Sequence, residues 1–132
     1  MERDEKEIVL HPVGVVRASS GEVQRIEIYE RFSGALDGIE RAEGLWVLYW
    51  MHRLSARDRE VLRVRPMGNP TIPKRGVFST HSPVRPNPIG MTEVRLLRRE
   101  GDVLFVEGLD ASDGSPVLDL KLAGAYPSAT EA

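Results

Sequence analysis

Apolar residues in this chain come in short runs with a period near two. Gly, Pro and Asp turns divide them, and no segment keeps the spacing of a long amphipathic helix. Residues 23–29 alternate cleanly: Val23, Ile26 and Ile28 are interleaved with Gln24, Arg25 and Glu27, as in a strand with one buried face. Residues 45–51 are almost wholly apolar and carry both tryptophans, which predicts the central strand. Residues 8–16 are β-branched, with Pro12 and Gly14 marking a bend or bulge. Further strands are expected at 61–65, 91–97, 103–109 and 117–122. A hairpin turn is expected at Glu100-Gly-Asp102 and a second turn at Asp113-Gly114. Helix is limited to a turn within residues 30–39 and a short turn at 55–60 capped by Ser55. Six to eight short strands make the fold mainly all-β: a small antiparallel β-barrel, or a compact β-roll, with short helical turns. At 132 residues the chain is one domain. Residues 1–7 read as a charged, disordered tail, 8–122 as the barrel, and 123–132 as a small, polar C-terminal tail.

Composition removes several chemistries. With no cysteine there is no disulfide, no thiolate metal site and no cysteine nucleophile, which fits a cytoplasmic protein. No run approaches the ~18 apolar residues of a membrane span, so no membrane association is expected. The net charge of −2 hides a segregation. Residues 53–99 hold eleven Lys/Arg against three Asp/Glu, whereas 1–52 hold six against ten and 100–132 one against seven. A basic stretch of this kind recruits polyanions, most commonly nucleic acid. Alternatively, the basic middle neutralises the acidic ends within the fold or across a dimer.

The densest chemistry lies in Arg75-Gly-Val-Phe-Ser-Thr-His-Ser-Pro-Val-Arg-Pro-Asn-Pro-Ile-Gly90, an apolar, strand-like start (Val77, Phe78) running into a loop with three prolines. Proline fixes its own φ and holds the preceding residue extended. The loop therefore presents His81, Ser82, Arg85 and Asn87 on a backbone with little entropy left to lose. A rigid surface connection would explain the prolines but not an imidazole, a guanidinium and an amide gathered so closely. His52 and Arg53 follow the central strand, where a barrel rim would expose them, or where a strand simply meets solvent. Asp110 and Asp113 follow another strand. Turn chemistry accounts for Asp113 before Gly114 but not for Asp110. Asp119 and Lys121 share one strand face, as a surface ion pair would. No glycine-rich dinucleotide loop or Walker motif occurs. The three histidines, His11, His52 and His81, lack metal-ligand spacing, and no metal is expected.

Four segments in order resemble the TrmO-type (TsaA-like) family of S-adenosylmethionine-dependent tRNA methyltransferases. They are His11-Pro-Val-Gly-Val-Val-Arg17; Leu36-Asp-Gly-Ile39 with Trp46-Val-Leu-Tyr-Trp-Met-His52; the proline loop with Arg85-Pro-Asn-Pro-Ile-Gly90; and Asp110-Ala-Ser-Asp-Gly-Ser-Pro-Val-Leu-Asp-Leu-Lys121. The resemblance implies a small β-barrel enzyme, usually a homodimer with the cofactor near the subunit interface, that methylates N6 of threonylcarbamoyl-adenosine beside a tRNA anticodon. By position, it implies that His52, Arg53, His81, Met91, Asp110, Ala111, Ser112 and Asp113 line the S-adenosylmethionine site. On that footing Asn87 Oδ1 and the Pro88 carbonyl are expected to accept from the target amide, with Arg85 orienting a carboxylate or phosphate. His81 would assist proton removal or contact the cofactor. Arg63, Arg65, Lys74, Arg75 and Lys121 are expected to hold the RNA. The chain departs from the family pattern at Glu43-Gly44-Leu45, at His81 where Arg is common, at Lys121-Leu-Ala123, and in the short Ala18-Ser-Ser-Gly21 segment. That short segment supports a rival reading, a non-catalytic cofactor- or RNA-binding barrel. A methyltransferase for another small substrate is a second rival.

Overall fold

A computed structural model of the protein describes residues 5–19 and 21–126. Tail residues 1–4 and 127–132 lie outside the described residues. Among the described residues eight strands form: β1 Gly14–Arg17, β2 Val23–Ile28, β3 Gly44–Trp50, β4 Arg63–Val64, β5 Arg75–Gly76, β6 Ile89–Glu100, β7 Val103–Glu107 and β8 Pro116–Ala123. Six of them close an antiparallel barrel in the order β1-β2-β7-β6-β3-β8, while β4 and β5 pair separately as a small flap. The expected barrel is therefore present, with 3-10 turns as its helical content.

Period-two patterning decides which side chains fill the barrel. Along β3, Leu45, Val47 and Tyr49 are buried while Trp46, Leu48 and Trp50 are half-buried on the outer face. Val16, Ile26, Ile28, Val94, Leu104, Val106 and Val117 complete the core from the other strands. Each such aliphatic side chain contributes about 1.5–3 kcal/mol when fully buried. The connection from β2 to β3, with 3-10 turns at Glu30–Leu36 and Ile39–Arg41, packs Leu36 and Ala42 into the same core. β6 is long because it serves two neighbours. Its first half pairs with β3 and its second with β7, with a register shift between Leu96 and Arg98. A bulge there bends the strand and helps the sheet close.

Three sequence expectations are corrected. Residues 8–12 are not strand: Ile8, Val9 and Leu10 are exposed, and pairing begins near Pro12, which removes a ladder donor. The run at 61–65 keeps only two paired residues, Arg63 and Val64. Val77 and Phe78 start no strand; they form a 3-10 turn, Val77–Ser79, that buries Val77 and leaves Phe78 exposed.

Candidate active site

Antiparallel order brings the end of β3, the start of β6, the end of β7 and the start of β8 to one end of the barrel. At that end a cleft of about 800 Å3 opens between four segments. Met51, His52, Arg53 and Leu54 come from the chain after β3, and Thr80, His81, Ser82, Pro83, Arg85 and Asn87 from the proline loop. Ile89 to Thr92 come from β6, and Asp110, Ala111 and Ser112 from the β7–β8 connection. Sequence separations of up to about half the chain collapse here because each segment is a strand end.

β6 contributes more than side chains. Residues 89–95 pair with β3, but β7 reaches β6 only from Arg95 onward, so one edge of residues 89–94 has no strand beside it. Pro88 O accepts from Met51 N–H, and Leu96 N–H donates to Glu43 O. Bonded and non-bonded pairs alternate in an antiparallel ladder. The even-numbered residues of this stretch thus serve β3, and Met91 and Glu93 turn their backbone groups to the open edge. Met91 lines the cleft, so one N–H and one C=O lie at its rim.

Much of the cleft is held rigidly. Tyr49 hydrogen-bonds Thr92 Oγ1 at 3.0 Å and donates to the Asp110 carbonyl, tying β3, β6 and the β7–β8 connection together. Its ring fits only because residue 90 is glycine: a Cβ there would lie 2.3 Å from Tyr49 Cε2. Ser115 is buried, and its hydroxyl donates to Ser112 O at 2.6 Å, closing the turn that carries Asp110 to Ser112. In the proline loop Arg85 Nη1 donates to Thr80 O at 3.2 Å and to Ser82 O at 3.0 Å, while Ser82 Oγ accepts from Val84 N–H. Arg59 fastens the loop from outside. Its Nε donates to Pro86 O at 2.8 Å, and its guanidinium lies 5.1 Å from the Trp50 ring centroid. Against this scaffold the side chains of His52, Arg53, His81, Asn87 and Asp110 line the cleft with no hydrogen-bond or ion-pair partner among the described residues. Unpartnered polar groups on a rigid wall are what a ligand site requires.

The structure thus gathers Arg85, Asn87, His52, Arg53, His81, Met91, Asp110, Ala111 and Ser112 around one cavity. Others it places elsewhere. Pro88 is buried and its carbonyl is occupied by Met51 N–H, so it supports the loop rather than reaching into the cleft. Asp113 Oδ1 accepts from Ala18 N–H at 3.0 Å, capping the short β1–β2 connection and standing outside the lining. Lys121 lies on β8 opposite Trp46 and borders a different, apolar cleft with Phe32, Leu36 and Ile39. Arg63 donates to Lys74 O, and Arg65 to Ile72 O and Pro70 O, so both guanidinium groups brace the β4–β5 flap. Lys74 and Arg75 remain exposed and without ion-pair partners among the described residues. Sequence reasoning placed Tyr49 and Trp46 in the central strand and missed them as lining. A tyrosine in an otherwise aliphatic inward set was the available signal, since a buried hydroxyl needs a partner. Among the described residues no cluster of potential metal ligands occurs, and no helix is long and apolar enough to cross a membrane.

Similarity to known proteins points the same way. A protein 45% identical over 128 residues, in Methanothermobacter thermautotrophicus, is named a probable S-adenosyl-L-methionine-binding protein; the match spans 87% of this chain and 89% of that one. An Archaeoglobus fulgidus protein named an S-adenosyl-L-methionine-binding protein is 41% identical over 86% of this chain and 88% of its own length. A crystal structure of TrmO superposes with a TM-score of 0.71 at 30% identity over 96% of this chain, which spans only 62% of that protein. TrmO from Pseudomonas aeruginosa superposes at 0.70 with 27% identity over 90% of this chain, and 57% of that protein is covered. The model of the tRNA-methyltransferase O N-terminal domain matches residues 13–126, and the chain belongs to that family.

Proposed function

We propose that this chain is an S-adenosylmethionine-dependent methyltransferase acting on N6 of threonylcarbamoyl-adenosine next to a tRNA anticodon. It works in the cytoplasm as a homodimer whose clefts lie near the shared interface. The observation that carries the reading is the set of unpartnered polar side chains converging on one cleft at the barrel end. The cleft suits the cofactor chemically. Its volume lies in the range of small-molecule sites, Asp110 offers a carboxylate to an amine or hydroxyl, and the open β6 edge offers a backbone donor and acceptor at Met91. His52 and Arg53 complete the wall. Dimerisation draws support from the apolar outer face of β3 and β6, where Trp46, Leu48 and Trp50 adjoin exposed Ile89 and Met91. Family membership supports the transferase class, and relatives named for S-adenosyl-L-methionine binding support the cofactor.

When bound, S-adenosylmethionine supplies a sulfonium methyl group open to in-line attack, with the thioether as leaving group. The chain's task is positioning, which can supply roughly 7–11 kcal/mol when reactants are well aligned. Asn87 Oδ1 accepts from the target N–H and aims the nitrogen. Arg85 already spends Nη1 on its loop and uses its remaining donors on the substrate carboxylate. His81 would take that same proton, the one hydrogen N6 carries, when the methyl group replaces it. Pro88 contributes stiffness only.

The direct test is methyl transfer to tRNA carrying threonylcarbamoyl-adenosine. Asn87→Ala and Arg85→Ala are each expected to lower kcat/KM at least about tenfold, the loss of one charge-assisted or positioning hydrogen bond. Wild-type rates in both would remove the loop from the mechanism. A second reading, a barrel that binds the cofactor without transferring methyl, draws on Ala18 and Asp113: both are committed to each other rather than to the cleft. Tight S-adenosylmethionine binding by titration calorimetry with no transfer to any tRNA would select it.

A further inference from the structure

The β4–β5 flap ends in a feature the cleft does not use. Val77 N–H donates to Leu62 O at 2.9 Å, extending the flap ladder by one step. Val77 is buried beneath, and the next ring, Phe78, is 83% exposed. The turn that carries it is stiff: Thr80 N–H and Thr80 Oγ1 both donate to Val77 O. Thr80 itself lines the cleft, so Phe78 stands two residues from the site. The chain leading into it is positive: Lys74 and Arg75 precede it, and both are exposed, with no ion-pair or hydrogen-bond partner for their side chains among the described residues. Of the eleven basic residues between 53 and 99, Arg98 and Arg99 are paired with carboxylates among the described residues. Carboxylates therefore neutralise little of this charge, and while Arg59, Arg63, Arg65 and Arg85 are committed to backbone carbonyls, Lys74 and Arg75 are not.

We propose that Phe78 is a base-stacking platform for single-stranded RNA, receiving a nucleobase that neighbours the nucleotide held in the cleft, while Lys74 and Arg75 hold the flanking phosphates. The proposal rests on the RNA substrate argued above and names the residue that grips it. An exposed ring set among free cations is the combination by which proteins bind unpaired strands: the ring takes any base face and the cations track the backbone. A seam with a second copy of the chain fits less well. A two-fold contact centred on Phe78 would bring Lys74 and Arg75 against their own copies.

Fluorescence anisotropy with a labelled anticodon stem–loop and with short single-stranded oligoadenylate tests the idea on wild type, Phe78→Tyr and Phe78→Leu. Stacking predicts that Phe78→Leu weakens binding about 5- to 150-fold, while Phe78→Tyr binds like wild type. The salt dependence of binding is unchanged in Phe78→Leu and becomes shallower in the Lys74→Gln/Arg75→Gln double variant. Calorimetric binding of S-adenosylmethionine, unchanged in Phe78→Leu, shows that the fold is intact. Equal RNA affinity for Leu, Tyr and Phe at this position overturns the proposal and leaves the RNA substrate standing. Loss of the dimer in Phe78→Leu by sedimentation overturns it in favour of a subunit seam. A wild-type protein that binds neither RNA overturns the RNA substrate reading itself, and the platform with it.

Discussion

A single atom-scale accommodation holds the cleft open at the residue scale. Tyr49 occupies an interior position of β3, yet its hydroxyl reaches Thr92 and the Asp110 carbonyl, partners 43 and 61 residues away in sequence. Gly90 makes room for the ring. Gly90→Ala is therefore expected to destabilise the protein by about 1–3 kcal/mol, as overpacking of a doubly anchored aromatic does; a lower urea midpoint at unchanged slope checks it. Tyr49→Phe keeps the packing and removes the anchor. Its expected cost is about 1 kcal/mol in stability, together with weaker S-adenosylmethionine binding because the Asp110 to Ser112 segment loses its tether. A Tyr49→Phe variant with wild-type cofactor affinity would detach that hydroxyl from the site. The apolar run at residues 45–51 made Tyr49 legible as part of the central strand, but a run apolar on both faces left its inward direction to the structure. Its partners were not legible, because they belong to strands whose register is set only when the barrel closes.

Among elements, the proline loop shows how far local sequence reaches. Three prolines predicted a stiff segment, and that stiffness is local physics. Where the segment lies is decided by Arg59, whose bond to Pro86 O and position over Trp50 clamp the loop against the end of β3. Arg59→Met is expected to lower kcat/KM for methyl transfer about fivefold, roughly the worth of one partly exposed hydrogen bond. The fall should lie in kcat rather than in cofactor affinity, and Arg59→Lys should recover only part of it. At the other end of the barrel Arg99 joins β6 to the β2–β3 connection through Leu36 O and the Glu40 carboxylate. Glu40 is held below its ordinary pKa, first by hydrogen bonding to its own backbone and then by Arg99. A carboxylate with a lowered pKa adds stability that is complete above its unfolded value and lost as pH falls through the lower folded value. Glu40→Gln should thus be less stable than wild type at neutral pH, and the two denaturation curves should converge in acid. A gap that persists at low pH would assign the effect to something other than this charge.

For the whole molecule, closure is the governing event. β1 and β8 pair across almost the full described chain, Gly14 with Val117 and Val15 with Pro116. Refolding is expected in the millisecond-to-second range typical of topologies dominated by long-range contacts. The fluorescence of Trp46 and Trp50, both on β3, reports it in a stopped-flow experiment. Closure also explains which basic residues remain for a partner. Arg63 and Arg65 looked equivalent to Lys74 and Arg75 in sequence, but flap folding turned the first two onto backbone carbonyls. Lys121, drawn from the same charge census, is carried by β8 to the rim of another cleft.

The sequence by itself determined most of the barrel strands, the alternating faces of β2, the stiffness of residues 80–88 and the family motif, because each depends on neighbours a few positions apart. Only the tertiary structure decided that β7 leaves one edge of the first half of β6 open, that Asp113 and Pro88 stand outside the cleft lining, and that Phe78 is exposed two residues from it. Those outcomes depend on strand register and barrel closure, which are settled by the packing of residues far apart in the chain rather than by any local run.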